Sequence, residues 1–186
     1  MTDIRNARVL IIATDGFEQS ELEVPRDELR AKGARVEVAT LDGGAIRGWD
    51  EKDWGREAEA DLRIADAKAA DYDALVIPGG VINPDKLRRD EKTIALVKEF
   101  VAGGQVVAAI CHGPWLLVEA GALRGIDATS VGNIATDVKN AGANWRDEAV
   151  VTAKGIVTSR TPDDLPAFVA KIVEEIGEGR HQRRAA

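Results

Sequence analysis

The chain holds one cysteine and two histidines, and two of these three residues are neighbours, Cys111 and His112. A thiol attacks only as its thiolate, and an imidazole beside it can take and return the proton. Small residues, Ala109 and Gly113, stand two before and two after the cysteine. That spacing permits the tight strand-to-helix turn of a nucleophile elbow. In such a turn the sulfur sits at the head of a helix, whose positive end lowers the thiol pKa. The next backbone N–H, that of His112, then points where an oxyanion develops. Pro114 suits the first helical turn, where a missing N–H costs nothing. Elsewhere a lone cysteine is most often a small buried hydrophobe; the elbow and the adjacent imidazole argue for chemistry here. The second histidine, His181, belongs to the terminal segment, so a thiol–imidazole pair has to use His112.

Two acids and a glycine pair complete the candidates. Glu18 and Glu21 are three apart at the start of a helix, so they can share a face. They are either helix-start acids favoured by the dipole or carboxyls that serve the thiol. A glutamate buried beside a thiol has its pKa raised and can donate a hydrogen bond to the thiolate. Gly79-Gly80 is either a plain turn or a close backbone approach, with the Gly80 N–H as a second oxyanion donor. Other chemistries are set aside. The chain has no phosphate loop of the G-x-x-x-x-G-K-[ST] kind, no G-x-G-x-x-G and no C-x-x-C. Two separated histidines do not make an ordinary zinc site, so neither metal nor cofactor is expected. Trp49, Trp54, Trp115 and Trp145 lack the basic setting of nucleic-acid stacking; Trp49 and Trp54 either border a pocket or bury in a subunit contact.

These residues need a scaffold, and the pattern describes one. Short apolar runs alternate with amphipathic segments of helix length, as in a parallel sheet covered on both faces. Strands are expected at 8–13 (RVLIIA), 35–40, 74–77 and 106–110, continuous rather than alternating because both faces are buried. Helices are expected at 18–32, with Pro25 as a kink or break, at 90–101, 113–120 and 135–141, and from Pro162 to Ile176. A loop or small hairpin covers 41–56, a short strand 62–64 and a short helix lies before Asp71. A strand follows at 128–131 and a hairpin across 150–159. The simplest architecture is one doubly wound, flavodoxin-like α/β domain over residues 1–179. Sites in such sheets form outside the carboxyl ends of the strands, and 15–18, 78–80 and 111–113 all fall there.

At 186 residues, one domain can bury a continuous sheet. A net charge of −7 argues against nucleic acid or an anionic membrane as main partner. Residues 180–186 carry Arg180, Arg183 and Arg184 without acids, and read as a solvated tail rather than a nucleic-acid arm. The single cysteine and the polar first eight residues lead us to expect a reducing compartment, the cytoplasm.

Several segments together resemble the PfpI family of intracellular cysteine proteases and glycation-repair enzymes, within the class I glutamine amidotransferase-like superfamily. They are GFEQSEL at 16–22, ALVIPGG at 74–80, NPDKLR at 83–88, AAICHGPWLLVEAGALRG at 108–125, NAGANW at 140–145 and TSRTPDDLPAF at 158–168. The resemblance implies Cys111 as nucleophile, His112 as its vicinal histidine and Glu21 against the thiol, with Glu18 as a second acid. It implies Gly80 and His112 as backbone donors to the oxyanion. It also implies that Asp85, supplied by a neighbouring subunit, orients the histidine, so the chain would be a dimer or a hexamer of dimers. Family members usually carry Glu there, and Asp is one methylene shorter. The deglycase branch has a histidine where this chain has Val131, which alters one pocket wall. A late H-x-E motif is absent, which sets glutaminase activity aside. The implied activity is a cysteine hydrolase in stress response. It acts as deglycase or glyoxalase on methylglyoxal or glyoxal adducts, as a peptidase, or both. The other reading is a redox-sensing or chaperone-like stress protein whose Cys111 is reversibly oxidised.

Overall fold

The run Arg8–Ile12 forms the central strand β1, apolar from Val9 onward because helices cover both its sides. Val9 and Ile11 face one core, Leu10 and Ile12 the other, and all four are fully buried. Each such side chain contributes about 1.5–3 kcal/mol relative to exposure, so a strand of this composition settles in the middle. The computed structural model describes residues 2–182.

Along the chain follow β2 (Phe17–Glu18), α1 (Gln19–Ala31), β3 (Arg35–Thr40), β4 (Ile46–Asp50), β5 (Asp53–Ala58) and β6 (Leu62–Arg63). Then come β7 (Ala74–Ile77), α2 (Ile82–Leu87), α3 (Glu91–Ala102), β8 (Val106–Ile110) and α4 (Pro114–Glu119). The chain closes with β9 (Asp127–Ala128), α5 (Ala135–Asn140), β10 (Asn144–Trp145), β11 (Val150–Ala153), β12 (Ile156–Ser159) and α6 (Leu165–Glu178). The main sheet has seven strands in the order β11-β12-β8-β7-β1-β3-β6. Only β11 runs antiparallel, as the outer arm of the expected hairpin. Without the two-residue edge strand β6, the parallel strands have the flavodoxin-like order 2-1-3-4-5. One core lies under α1 and α6, through Leu22, Leu29, Phe168 and Ile172. The other lies under α3 and α4, through Leu96, Val97, Phe100, Leu116 and Leu117.

Of the two readings of residues 41–56 the hairpin holds: β4 and β5 form it, and its first strand pairs with β2, against the site. Other expectations change. The strand expected at 128–131 stops at Ala128 and pairs only with β10. Beyond it the Thr129 N–H bonds the Thr158 hydroxyl instead of a strand. Pro25 does not end α1, which continues over it to Ala31; it costs one backbone bond, to the carbonyl of Glu21. The terminal segment is docked at its start. Gly104 O accepts from the His181 N–H (2.8 Å) and Gly103 O from Arg180 Nη1 (2.9 Å). Arg183 and Arg184 lie outside the described residues. Among those described, no helix is long and apolar enough to cross a membrane.

Candidate active site

The strand order reverses at β1: β3 lies on one side and β7 on the other. Loops leaving β1 and β7 there diverge and open a crevice at their carboxyl ends. Into it come Glu18 and Glu21 after β1, Gly79 and Gly80 after β7, and Cys111 and His112 after β8.

Cys111 has φ of +61°, the left-handed region that costs a non-glycine residue about 1–3 kcal/mol. Backbone bonds hold it there: Cys111 N donates to Ser159 O, Val131 N to Cys111 O, and Gly113 N to Ile110 O. The elbow therefore exists, with Pro114 as the first residue of α4. The sulfur is half-buried. Backbone N–H groups of Gly80 and His112 both donate toward it and lower its pKa, as two oxyanion donors would. Gly80 can do so because its φ is +76° and because a Cβ would collide with the carbonyl of Gly16.

Glu21 is completely buried. Its Oε2 accepts the Gly79 N–H at 2.7 Å, and its carboxyl meets the Cys111 thiol. Burial pushes the Glu21 pKa up to about 8. The same burial, and then the charge of Glu21, push the thiol up. This corrects the expectation that the helix end sets the thiol: α4 is six residues long, and its pull is outweighed. The two groups are coupled through one proton. A Glu21 with this pKa is mostly protonated at neutral pH, so its charge disappears and its O–H becomes a donor to the sulfur. Gly79 makes the pair possible. A Cβ there would stand 2.5 Å from Glu21 Oε2 and 2.6 Å from the Cys111 Cβ.

His112 is half-buried, with Nδ1 3.3 Å from Sγ, and burial lowers its pKa. It is thus neutral at neutral pH and able to accept the thiol proton. Among the described residues no carboxylate hydrogen-bonds its ring. Asp85 is exposed in the first turn of α2. Glu18 sits half-buried at the mouth, its pKa raised by burial and by Asp50 and Glu51 of the hairpin.

The DJ-1/PfpI family model matches residues 7–175. The chain belongs to the DJ-1/PfpI family. It is 42% identical over 171 residues to protein/nucleic acid deglycase 2 of Escherichia coli, covering 91% of this chain and 98% of that one. It is 41% identical over 167 residues to a deglycase of Thermococcus kodakarensis, covering 90% and 98%. It is also 41% identical over 162 residues, covering 87% and 93%, to a Bacillus subtilis protein provisionally named a cysteine protease. Among solved structures, a two-domain Anabaena variabilis protein with DJ-1/ThiJ/PfpI-like and ferritin-like domains superposes with a TM-score of 0.87 at 36% identity. That match covers 92% of this chain and 48% of the longer protein.

In this member of the family two site residues escaped sequence reasoning. Asn83 is completely buried and ties two site loops together: its Oδ1 accepts from Thr14 N (2.8 Å), and its Nδ2 donates to the Pro78 and Gly79 carbonyls. An asparagine before a proline looks like ordinary turn chemistry, and nothing local signals its long-range partner. Trp115 packs its ring 5.1 Å from that of His112. It is held in turn by the Arg88 guanidinium over its face (5.0 Å) and by Asp137, which accepts from Nε1 (2.8 Å). Its place three residues after the elbow histidine, facing it across one helical turn, was the available signal.

Proposed function

We propose that this chain is a cysteine hydrolase that removes methylglyoxal- or glyoxal-type adducts from amines. One observation carries the reading: the Cys111 sulfur stands at a strained elbow between a proton-bearing glutamate and two backbone N–H groups, with His112 Nδ1 3.3 Å away. The names of the Escherichia coli and Thermococcus relatives support deglycation as the reaction class, and the methylglyoxal and glyoxal adducts are what the family resemblance implies.

In a carbinolamine, the carbon derived from the aldehyde carries a hydroxyl and the amine, next to a ketone. His112 takes the thiol proton, and sulfur bonds to that carbon as the C–N bond breaks. The amine leaves with the proton from His112. In the resulting hemithioacetal a proton moves from the sulfur-bearing carbon to its neighbour, giving a lactate thioester. Water adds, the oxyanion is held by the Gly80 and His112 N–H groups, and lactate departs with return of the thiol. Adduct and water become amine and lactate. For free methylglyoxal the same path begins by addition to the aldehyde.

The half-exposed face of His112 is the place for a second subunit's Asp85. Exposed Val81 and Ile82 (56% and 36%), at the start of α2 just before Asp85, supply apolar area for such a contact. The test is D-lactate production from methylglyoxal by wild type and Cys111→Ala, beside hydrolysis of a fluorogenic peptide. Wild type forms lactate and Cys111→Ala loses at least about 10³-fold. Equal rates in the two proteins would eliminate the mechanism; peptide cleavage without lactate would favour the protease. The redox reading rests on the same donors, which suit the oxygens of an oxidised sulfur. No oxygen added to Cys111 by mild peroxide, read by intact mass, counts against it.

A further inference from the structure

Far from the crevice, at the end of α6, Glu175 and Glu178 stand three apart and share a face. Gly179 turns the chain back with φ of +92°, and His181 returns to the two acids. One ligand atom from each of these residues lies within 4.8 Å of the others. The Glu175 side chain is only 7% exposed, yet among the described residues no donor outside this group hydrogen-bonds its carboxylate. His181 Nε2 is sealed from solvent and also lacks a hydrogen-bond partner. It sits 3.3 Å from Glu175 Oε2, near enough for attraction but not in hydrogen-bond geometry. Ligands about 2.0–2.1 Å from a tetrahedral ion stand roughly 3.3–3.4 Å apart. A spacing of 3.3 Å thus fits two ligands on one cation as well as it fits a histidine–glutamate ion pair.

The approach of His181 is built rather than incidental. Its N–H bonds Gly104 O, Arg180 bonds Gly103 O, and a Cβ on Gly104 would collide with the His181 carbonyl. Counting histidines along the sequence argues against zinc, because His112 and His181 are too far apart to share an ion. One histidine with two carboxylates escapes that argument, since His and Glu together suit borderline divalent cations.

We propose that Glu175, Glu178 and His181 bind one divalent cation, zinc foremost, that fastens residues 179–181 to α6 and to the 103–104 turn. The turn leads into the amino end of β8, the edge of the sheet opposite Cys111, so the site is structural and leaves the nucleophile untouched.

The test uses the full chain carrying Cys111→Ala, so that the thiol cannot bind the metal. Metal-stripped protein is titrated with zinc chloride by calorimetry, and thermal unfolding is followed with and without the ion. One equivalent binds and the melting temperature rises; Glu178→Gln and His181→Ala each weaken binding at least about 100-fold. Glu178 is exposed, so its variant folds even if the histidine variant does not. X-ray absorption of the zinc-loaded protein shows nitrogen and oxygen neighbours near 2.0–2.1 Å. Absence of one-equivalent binding, or binding that survives both substitutions, overturns the site. In that case the group is a histidine–glutamate ion pair.

Discussion

The sulfur of Cys111 has two acid–base neighbours held in opposite ways. Glu21 is sealed in the crevice, bonded to the Gly79 N–H, with backbone packed so closely that a single methyl would not fit. His112 is half-buried and positioned by an indole ring rather than by a carboxylate. The glutamate side is completed by one chain acting alone. The histidine side is open, and its stacking partner is itself held by Arg88 and Asp137. The difference teaches where precision is intrinsic: under the proposed mechanism the group that stores the proton is packed in place by its own chain, while the group that carries it keeps an open face.

The strongest way to break the comparison is Gly79→Ala. Its Cβ would drive Glu21 and Cys111 apart, and a displacement of about 1 Å at a catalytic group costs roughly 100-fold in rate. Overpacking adds about 1–3 kcal/mol of destabilisation. Steady-state kinetics and urea unfolding measure both effects, with Gly132→Ala as the neutral control because nothing lies near its Cβ. Turnover unchanged by the alanine at 79 would mean that the Glu21–Cys111 spacing is irrelevant.

Next in size is a pH effect on stability. The Glu21 pKa rises from 4.5 in a free glutamate to about 8 in the fold, so the folded state holds a proton that the unfolded chain releases. The stability tied to that proton is whole below about pH 4.5 and is lost as pH rises toward 8. A shift of this size corresponds to at most about 5 kcal/mol, less to the extent that Cys111 shares the proton. Glu21→Gln keeps the shape and the Gly79 bond but cannot titrate, so the part of the pH slope between 5 and 8 that belongs to Glu21 disappears. An unchanged slope would place the proton elsewhere.

Part of this fold and site is legible in the residues alone. The β1, β7 and β8 runs were legible because strands buried on both faces have no polar alternation to obscure them. Cys111 and its small neighbours Ala109 and Gly113 are legible because a nucleophile elbow demands small residues at fixed spacing. Asn83 was not: its partners, Thr14 and Pro78, meet it only once the sheet is assembled. The hairpin over 46–58 was ambiguous because a bulge between Arg47 and Trp49 breaks its alternation. Two-residue strands such as β6 and β9 are too short for any period to register. The docking of Arg180 and His181 is invisible in the sequence, because charge composition says nothing of a specific turn waiting for them.

On the histidine side, Trp115→Leu sharpens the contrast. It removes the ring against His112, lowers kcat by about tenfold, and exposes the imidazole. Burial is what lowers that pKa, so exposure returns it upward toward 6.5, and the acid limb of kcat/KM moves to higher pH. Trp115→Phe keeps a ring and retains most of the rate, while losing the bond to Asp137. A leucine variant with wild-type pH profile would leave His112 oriented by something else.

The smallest effect belongs to Glu18, where the two sides of the comparison meet solvent. Its charge raises the pKa of Glu21, after burial, and its own pKa is raised by Asp50 and Glu51 across the hairpin. Glu18→Gln removes that repulsion without touching the sulfur, so the Glu21 pKa falls below 8. The window over which stability declines with pH then ends earlier, while kcat at neutral pH changes less than about twofold, as for a solvent-screened charge. The same unfolding series that follows Glu21→Gln detects it, as a displaced midpoint rather than a lost slope. A midpoint that stays in place would mean that Glu18 is insulated from Glu21. Its part would then be played on the hairpin side, against Asp50 and Glu51, and the buried proton would be set by burial alone.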